Sequence, residues 1–256
     1  MSGEPRQLGH PRIRVERTTS TMDDIANLAA DAVEGLTVIA DEQTHGRGRA
    51  NRRWHAAPGS SLLFSTLLRP DCSPERFQVF PLLAGLAVAE SIERCCGVRA
   101  GVKWPNDVLI DGRKVAGLLV TSRVTNSQVE TAILGVGVNL IKTPDNLATG
   151  AIALEDVADQ NPDAEVLLNE MLGSICSVYR DVIAGDTRTL LKRWLERAVY
   201  LRERVEVVDG ERCLVGRFSG VSESGGLVLQ TGADTYREVH AGDLVRGPVR
   251  PGNRGG

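Results

Sequence analysis

The hydrophobic pattern of this chain changes period at about Leu201, and that change imposes a two-part architecture. Downstream, Val205-Glu206-Val207-Val208, Cys213–Phe218, Leu227–Gln230 and Tyr236–His240 are short, alternating runs divided by Asp209-Gly210 and Gly225-Gly226. Strand side chains alternate with a period of two and glycine dipeptides supply tight turns, so this stretch reads as a small all-β barrel of roughly 50 residues. Upstream, strand and helix periods are interleaved, which is the signature of an α+β domain. The 256 residues are enough for a large mixed domain and the smaller module.

Along the first part, Ile13-Arg14-Val15-Glu16 alternates as a strand, and the dozen residues before it read as a frayed tail. Met22, Ile25, Ala26, Ala29 and Ala30 then repeat at helical spacing, with Ser20 and Asp23 as a capping pair and Gly35 as the stop. Leu36–Ala40 is a buried strand. Residues 41–59 hold no apolar period but carry four arginines and three glycines. A loop of that length inside a compact domain is usually functional. Ser61–Leu68 is strand-like again, and a long helix opens at Ser73-Pro74-Glu75 and runs to Cys96 before Gly97. Strands follow at Arg99–Lys103, Val108–Ile110, Val115–Thr121 and Glu130–Leu140, with an Asp111-Gly112 hairpin turn, and then helices at Ala164–Ala184 and Thr187–Ala198.

Composition removes several classes. Hydrophobic residues make up 42% and charged residues 25%, which excludes a disordered chain or a coiled coil. The apolar stretch Val79–Ala89 is broken by Pro81 and Gly85 and is too short to span a bilayer, and the N-terminus has no secretory pattern; no membrane association and a cytoplasmic location are expected. The net charge of −3 offers nucleic acid no general attraction. Five cysteines without a CxxC spacing read as reduced thiols, and the four histidines show no metal spacing, so no metal ligands are assigned. Of 30 basic residues only Lys103, Lys114, Lys142 and Lys192 are lysines, and two of them lie in one short segment.

Three segments carry chemistry. In Gln43-Thr44-His45-Gly46-Arg47-Gly48-Arg49-Ala50-Asn51-Arg52-Arg53-Trp54, glycines let backbone approach a ligand while guanidinium forks suit carboxylate or phosphate oxygens; a solvated loop is the bland alternative. Val102-Lys103-Trp104-Pro105-Asn106-Asp107 is followed one hairpin later by Lys114-Val115-Ala116-Gly117. Antiparallel pairing brings Lys103, Asp107 and Lys114 into one neighbourhood, either as a site or as a structural ion pair. Gly135-Val136-Gly137-Val138-Asn139 lacks the third glycine and helix of a dinucleotide loop, and reads as backbone thinned so that a flat ring can lie against it. There is no G-x-S-x-G elbow and no P-loop.

Taken together and in order, S-T-M, Q-x-x-G-R-G-R, K-W-P-N-D, K-x-A-G and G-x-G-x-N resemble biotin–protein ligase, over residues 13–246. The resemblance implies a mixed-sheet catalytic domain flanked by helices at residues 13–199, an SH3-like domain at 200–247, and disordered tails at 1–12 and 248–256. It implies condensation of biotin with ATP and Mg2+ to biotinyl-5′-AMP, then transfer of biotin to a lysine of a biotin carboxyl carrier domain. Ser20, Thr21, Met22 and Gln43 match the biotin site, with Met22 in place of a commoner Asn. Arg47, Gly48 and Arg49 match a loop that closes over biotin and the adenylate. Lys114 matches the lysine on the biotin carboxylate and α-phosphate, with Gly117 beside it, and Asp107 a carboxylate that helps the acceptor amine. Arg49, Arg52, Trp54, Lys103, Asn106 and Asn139 match positions around ATP. His240-Ala241-Gly242-Asp243 stands where a Ser-Gly-acid string is typical.

Some members of that family carry an N-terminal helix-turn-helix and act as repressors. With about a dozen residues before the first strand, the ligase-only form without DNA binding is expected here. The sequence is compatible with a homodimer and leaves oligomeric state open. Lipoate–protein ligase, which shares the fold, and a non-enzymatic binding module are the rival readings; the K-W-P-N-D and G-R-G-R strings favour biotin.

Overall fold

A computed structural model describes residues 7–143, 150–158 and 162–245. Its larger sheet has seven strands. They are β1 (Arg12–Thr18), β2 (Thr37–Gln43), β5 (Ser61–Leu68), β6 (Gly101–Lys103), β7 (Asp107–Ile110), β8 (Arg113–Thr125) and β9 (Gln128–Asn139). Their order is β1-β2-β5-β9-β8-β7-β6, with β1 parallel to β2 and the remaining pairs antiparallel. Two further strands, β3 (Gly46–Arg47) and β4 (Arg53–Trp54), form a small separate hairpin inside the long polar loop.

Helices cover both faces of the sheet. Helix α1 (Thr21–Leu28) packs on one face around a small cluster of Ile25, Leu36, Val38 and Leu67. On the other, α3 (Phe80–Cys96), α4 (Ala164–Ala184) and α5 (Arg188–Arg197) enclose the main core, which includes Ile39, Phe64, Leu68 and Val136. The period of two explains the division: Val38 and Leu67 point to α1, while their neighbours Ile39 and Leu68 point to α3. Along β9 the even residues Leu134, Val136 and Val138 enter the main core, so Gly135 and Gly137 fall on the α1 face.

The C-terminal domain is SH3-like. Strands β10 (Arg204–Asp209), β11 (Arg212–Val221), β12 (Leu227–Gln230), β13 (Tyr236–Val239) and β14 (Asp243–Val245) form an antiparallel sheet in the order β13-β12-β11-β10-β14. It docks through its apolar face, with Phe218 edge-on to Trp194 at 6.4 Å between ring centroids. Among the described residues, no helix is long and apolar enough to cross a membrane.

Several expectations shift. The helix expected from Ser73 to Cys96 is two: α2 (Pro74–Phe77), capped by the Ser73 hydroxyl accepting from the Arg76 N–H, and α3, with Pro81 in its first turn. A proline lacks the N–H that a continuous helix would need there. Helix α1 ends at Leu28 instead of continuing to Gly35, and β14 has no counterpart in the sequence reading because three residues are too few to show a period. Within the expected N-terminal tail, Leu8 is buried against the main core and the Gly9 N–H donates to the Gly35 carbonyl, while His10 and Pro11 are exposed. The expected C-terminal tail at 248–256 lies outside the described residues. Of the cysteines, all free, Cys72, Cys96 and Cys176 are buried, while Cys213 is exposed. The Asp111-Gly112 turn is as expected, with φ of +50° and +73° at its two residues.

Candidate active site

The α1 face of the sheet is bare beyond the N-terminus of α1, and the loop between β2 and β5 folds over it as a flap. The cavity beneath, about 150 Å³, collects every predicted site residue except Lys103 and Asn139. Its floor is glycine. A side chain at Gly137 would come within 2.6 Å of the Trp54 indole, and one at Gly117 within 2.8 Å of Lys114 Nζ and 3.0 Å of Trp54. The flat ring expected against this backbone is therefore supplied, in this structure, by Trp54 of the flap itself.

One wall comes from the hairpin β6–β7–β8. Asp107 begins β7 and Lys114 lies near the start of β8; a bulge between Val108 and Leu109 sets Lys114 opposite Leu109. The lysine reaches back so that its Nζ lies 2.6 Å from Asp107 Oδ1 and 5.5 Å from the centre of the Trp54 ring. A cation over an indole face gains from the ring quadrupole. Asn106 anchors the turn by donating to the Leu118 carbonyl, and Trp104, 2% exposed, donates its indole N–H at 3.0 Å to the Gly225 carbonyl of the C-terminal domain. Lys103 stands opposite Asp107 in the register of β6 and β7 but does not line the cavity. Asn139 is buried behind the wall, donating at 3.1 Å to the Ile152 carbonyl and at 3.5 Å to that of Lys114.

The far end is built by α1 and its neighbours. The Thr21 N–H and hydroxyl both donate to Gln43 Oε1, at 2.8 and 3.1 Å, and Thr21 Oγ1 lies 2.7 Å from Ser65 Oγ. Met22, 3% exposed, fills the space a side chain at Gly135 would need, its Sδ 2.8 Å from that position. Ser20 occupies the N-cap position but makes no capping bond. Its hydroxyl, like the Trp54 indole N–H, is buried in the cavity wall without a hydrogen-bond partner among the described residues. Such groups are rare in folded proteins and fit a polar ligand.

Arginines of the flap complete the site. Arg47 pairs with Asp23 of α1 at 3.1 Å. Arg49 donates to Asn106 Oδ1 at 3.2 Å and to the Gly242 carbonyl at 3.1 Å, and Arg52 pairs with Asp243 at 2.7 Å. Burial pulls the Arg49 guanidinium below its usual pKa, an effect that Asp243 opposes. Ser65, Asp23 and Asp243 were not assigned to the site from the sequence. Ser65 is one of three hydroxyl residues of β5, with Ser61 and Thr66, so the sequence does not single it out. Asp23 reads only as a cap partner and Asp243 only as the acid of His240–Asp243, and the tertiary structure alone sets them against the flap.

A cavity floored by bare backbone, with one lysine–carboxylate pair and several guanidiniums at its rim, suits a flat neutral ring joined to anionic groups. Comparison with known proteins agrees. The family model described as the biotin/lipoate A/B protein ligase family matches residues 13–139, and that of the biotin protein ligase C-terminal domain matches residues 201–247. The chain is 34% identical over 245 residues to the biotin–[acetyl-CoA-carboxylase] ligase of Mycobacterium tuberculosis, covering 90% of this chain and 87% of that protein. It is 30% identical over 234 residues to the bifunctional ligase/repressor BirA of Bacillus subtilis, covering 90% of this chain and 71% of that one. Among solved structures, biotin protein ligase from Aquifex aeolicus in complex with biotin and ATP superposes with a TM-score of 0.78 at 26% identity, covering 92% of this chain and 98% of that one. With the pocket, both domains and these relatives in agreement, the chain belongs to the biotin protein ligases.

Proposed function

We propose that this protein condenses biotin with ATP to give biotinyl-5′-AMP and pyrophosphate, then transfers biotin to a lysine of a biotin carboxyl carrier domain. The observation that carries the reading is the placement of the Lys114–Asp107 pair, at 2.6 Å, in the same cavity as Arg47 and Arg49 of the flap. Residues 13–199 serve as the biotin- and ATP-binding domain in this reading, and 200–247 as the SH3-like domain.

Adenylation brings two anions together, the biotin carboxylate and the α-phosphate, while charge builds at phosphorus. Fixed cations in a site closed to water lower that barrier. Lys114 from the wall and Arg47 and Arg49 from the flap supply them. Ser20, Thr21, Gln43 and Met22 hold the ring end of biotin, with Gly48 and Gly117 allowing close approach. Arg52, Trp54 and Asn106 form the nucleotide side, while Asn139 supports the wall from behind through the Ile152 and Lys114 carbonyls and Lys103 stands outside the cavity. When a carboxylate from the ligand takes Lys114, Asp107 loses its ion-pair partner and becomes free to receive the ammonium of the acceptor lysine as that proton is lost. One residue pair thus serves both half-reactions. The carboxylates around the cavity are each paired with a basic side chain, and no cluster of metal-binding residues occurs among the described ones. These residues do not fit a protein-held metal, so Mg2+ would enter on the triphosphate, where it offsets the charge of the departing pyrophosphate.

Incubating the protein with labelled biotin, ATP and Mg2+ tests the reading. The expected result is biotinyl-adenylate with an equal amount of pyrophosphate, and biotin on a carrier-domain lysine when that domain is added. No adenylate from folded protein would overturn it.

A further inference from the structure

Ser20 and Asp23 have the spacing of a helix cap, yet neither serves as one. The Ser20 side chain makes no capping bond and its hydroxyl is buried in the cavity wall. Asp23, fixed on the first turn of α1 by its N–H to the Ser20 carbonyl at 3.0 Å, turns its carboxylate outward to Arg47, at 3.1 Å. The flap has few other ties at this end. Its strands β3 and β4 are two residues each, and the Thr44 and His45 N–H groups reach only the Thr18 and Thr19 carbonyls. Helix α1 therefore touches the ligand cavity with Thr21 and Met22 and the flap with Asp23.

We infer that Asp23 is a positioning residue for Arg47: it holds the flap against α1 and so keeps the reactive adenylate in the site until the acceptor arrives. The inference rests on the ligase reading above. Asp23 itself does not line the cavity, and its loss leaves Lys114 and Arg49, which it does not touch, in place, freeing only Arg47. Both side chains of the pair are near half exposed, at 46% and 47%, which makes the tie modest and sensitive to salt.

The experiment measures adenylate released into solution, trapped by an added amine, against the single-turnover rate of pyrophosphate formation. It compares the unaltered protein with Asp23→Asn, Asp23→Glu and Arg47→Gly. Asp23→Asn is expected to raise release by about twofold to fivefold, the scale of an exposed ion pair, while pyrophosphate formation, which keeps Lys114 and Arg49, falls by a smaller factor than release rises. Asp23→Glu should restore retention. Raising the ionic strength should bring the unaltered protein toward Asp23→Asn, while that variant changes little; a purely structural aspartate would show no such convergence. Release unchanged in Asp23→Asn but raised in Arg47→Gly would overturn the inference alone. Release unchanged in both would overturn it together with the retaining role of the flap. No adenylate from the unaltered protein would overturn the ligase reading itself. A thermal midpoint for Asp23→Asn close to the unaltered one excludes misfolding as the cause.

Discussion

The hairpin wall and the flap face the same cavity but are held by different means. The wall is part of the sheet: Asp107 and Lys114 sit on strands whose register runs through β7, β8 and β9, with Val108, Val115 and Ala116 fully buried behind them. The flap makes a two-pair ladder of its own and is fastened by side chains, Arg47 to Asp23 and Arg52 to Asp243, with the Trp54 ring laid on glycine. Ladder hydrogen bonds in a packed sheet open only with the domain, whereas exposed ion pairs contribute about 1 kcal/mol at most. Charge that must not move is therefore built into the wall, and charge that must admit and release ligands is carried by the flap.

The contrast can be broken most severely at the wall. Lys114→Ala should leave the fold intact and cut adenylate formation by about 10²- to 10³-fold, the scale of losing one fixed donor to a developing charge. Pyrophosphate release within a few-fold of the unaltered protein would remove Lys114 from the chemistry. Asp107→Asn should sharpen the contrast by separating the two steps. Transfer from preformed biotinyl-adenylate should fall by about 10²-fold, the lower end for a positioned proton acceptor, while adenylation falls far less. Equal losses in single-turnover measurements of both steps would make Asp107 a structural partner of Lys114 only. The smallest effect lies in the flap. Amides of β8 at Ala116–Val120 should exchange slowly with or without ligand, while those of Gly46–Arg53 should gain protection by roughly an order of magnitude when biotinyl-adenylate binds, as a locally opening segment does when stabilised. Equal protection of the flap in both states would end the distinction between the two regions.

Much of this was legible in the sequence, and the limits have physical causes. The Asp111-Gly112 turn marks the β7–β8 hairpin in the sequence, and pairing across it puts Asp107 opposite Gly117 and Lys114 opposite Leu109; the ion pair between them depends on the lysine side chain reaching back along the strand. Of the glycines at 135 and 137, read as room for a flat ring, the second faces the Trp54 indole and the first the thioether of Met22. Ser20 and Asp23 show the converse: local spacing indicated a cap, and the tertiary structure gave both side chains other positions. Partners far apart in the chain, such as Arg52 and Asp243, have no local signature at all. Pro81 was visible, and the break it imposes before α3 leaves Phe77 and Phe80 on either side of it, stacked at 4.9 Å between centroids in the finished core.

Two contacts of the C-terminal domain bear on the order in which the site can be completed during synthesis. The indole N–H of Trp104 ends on the Gly225 carbonyl, and the guanidiniums of Arg49 and Arg52 end at Gly242 and Asp243. A nascent chain that has emerged only as far as residue 200 already contains every residue lining the ligand cavity, but not the groups on which the turn before Asn106 and the outer end of the flap rest. Those arrive only with the strands of the C-terminal domain. The pocket is thus assembled in outline first and fastened last, so a prematurely terminated product carries the binding residues without the ties that hold them in register.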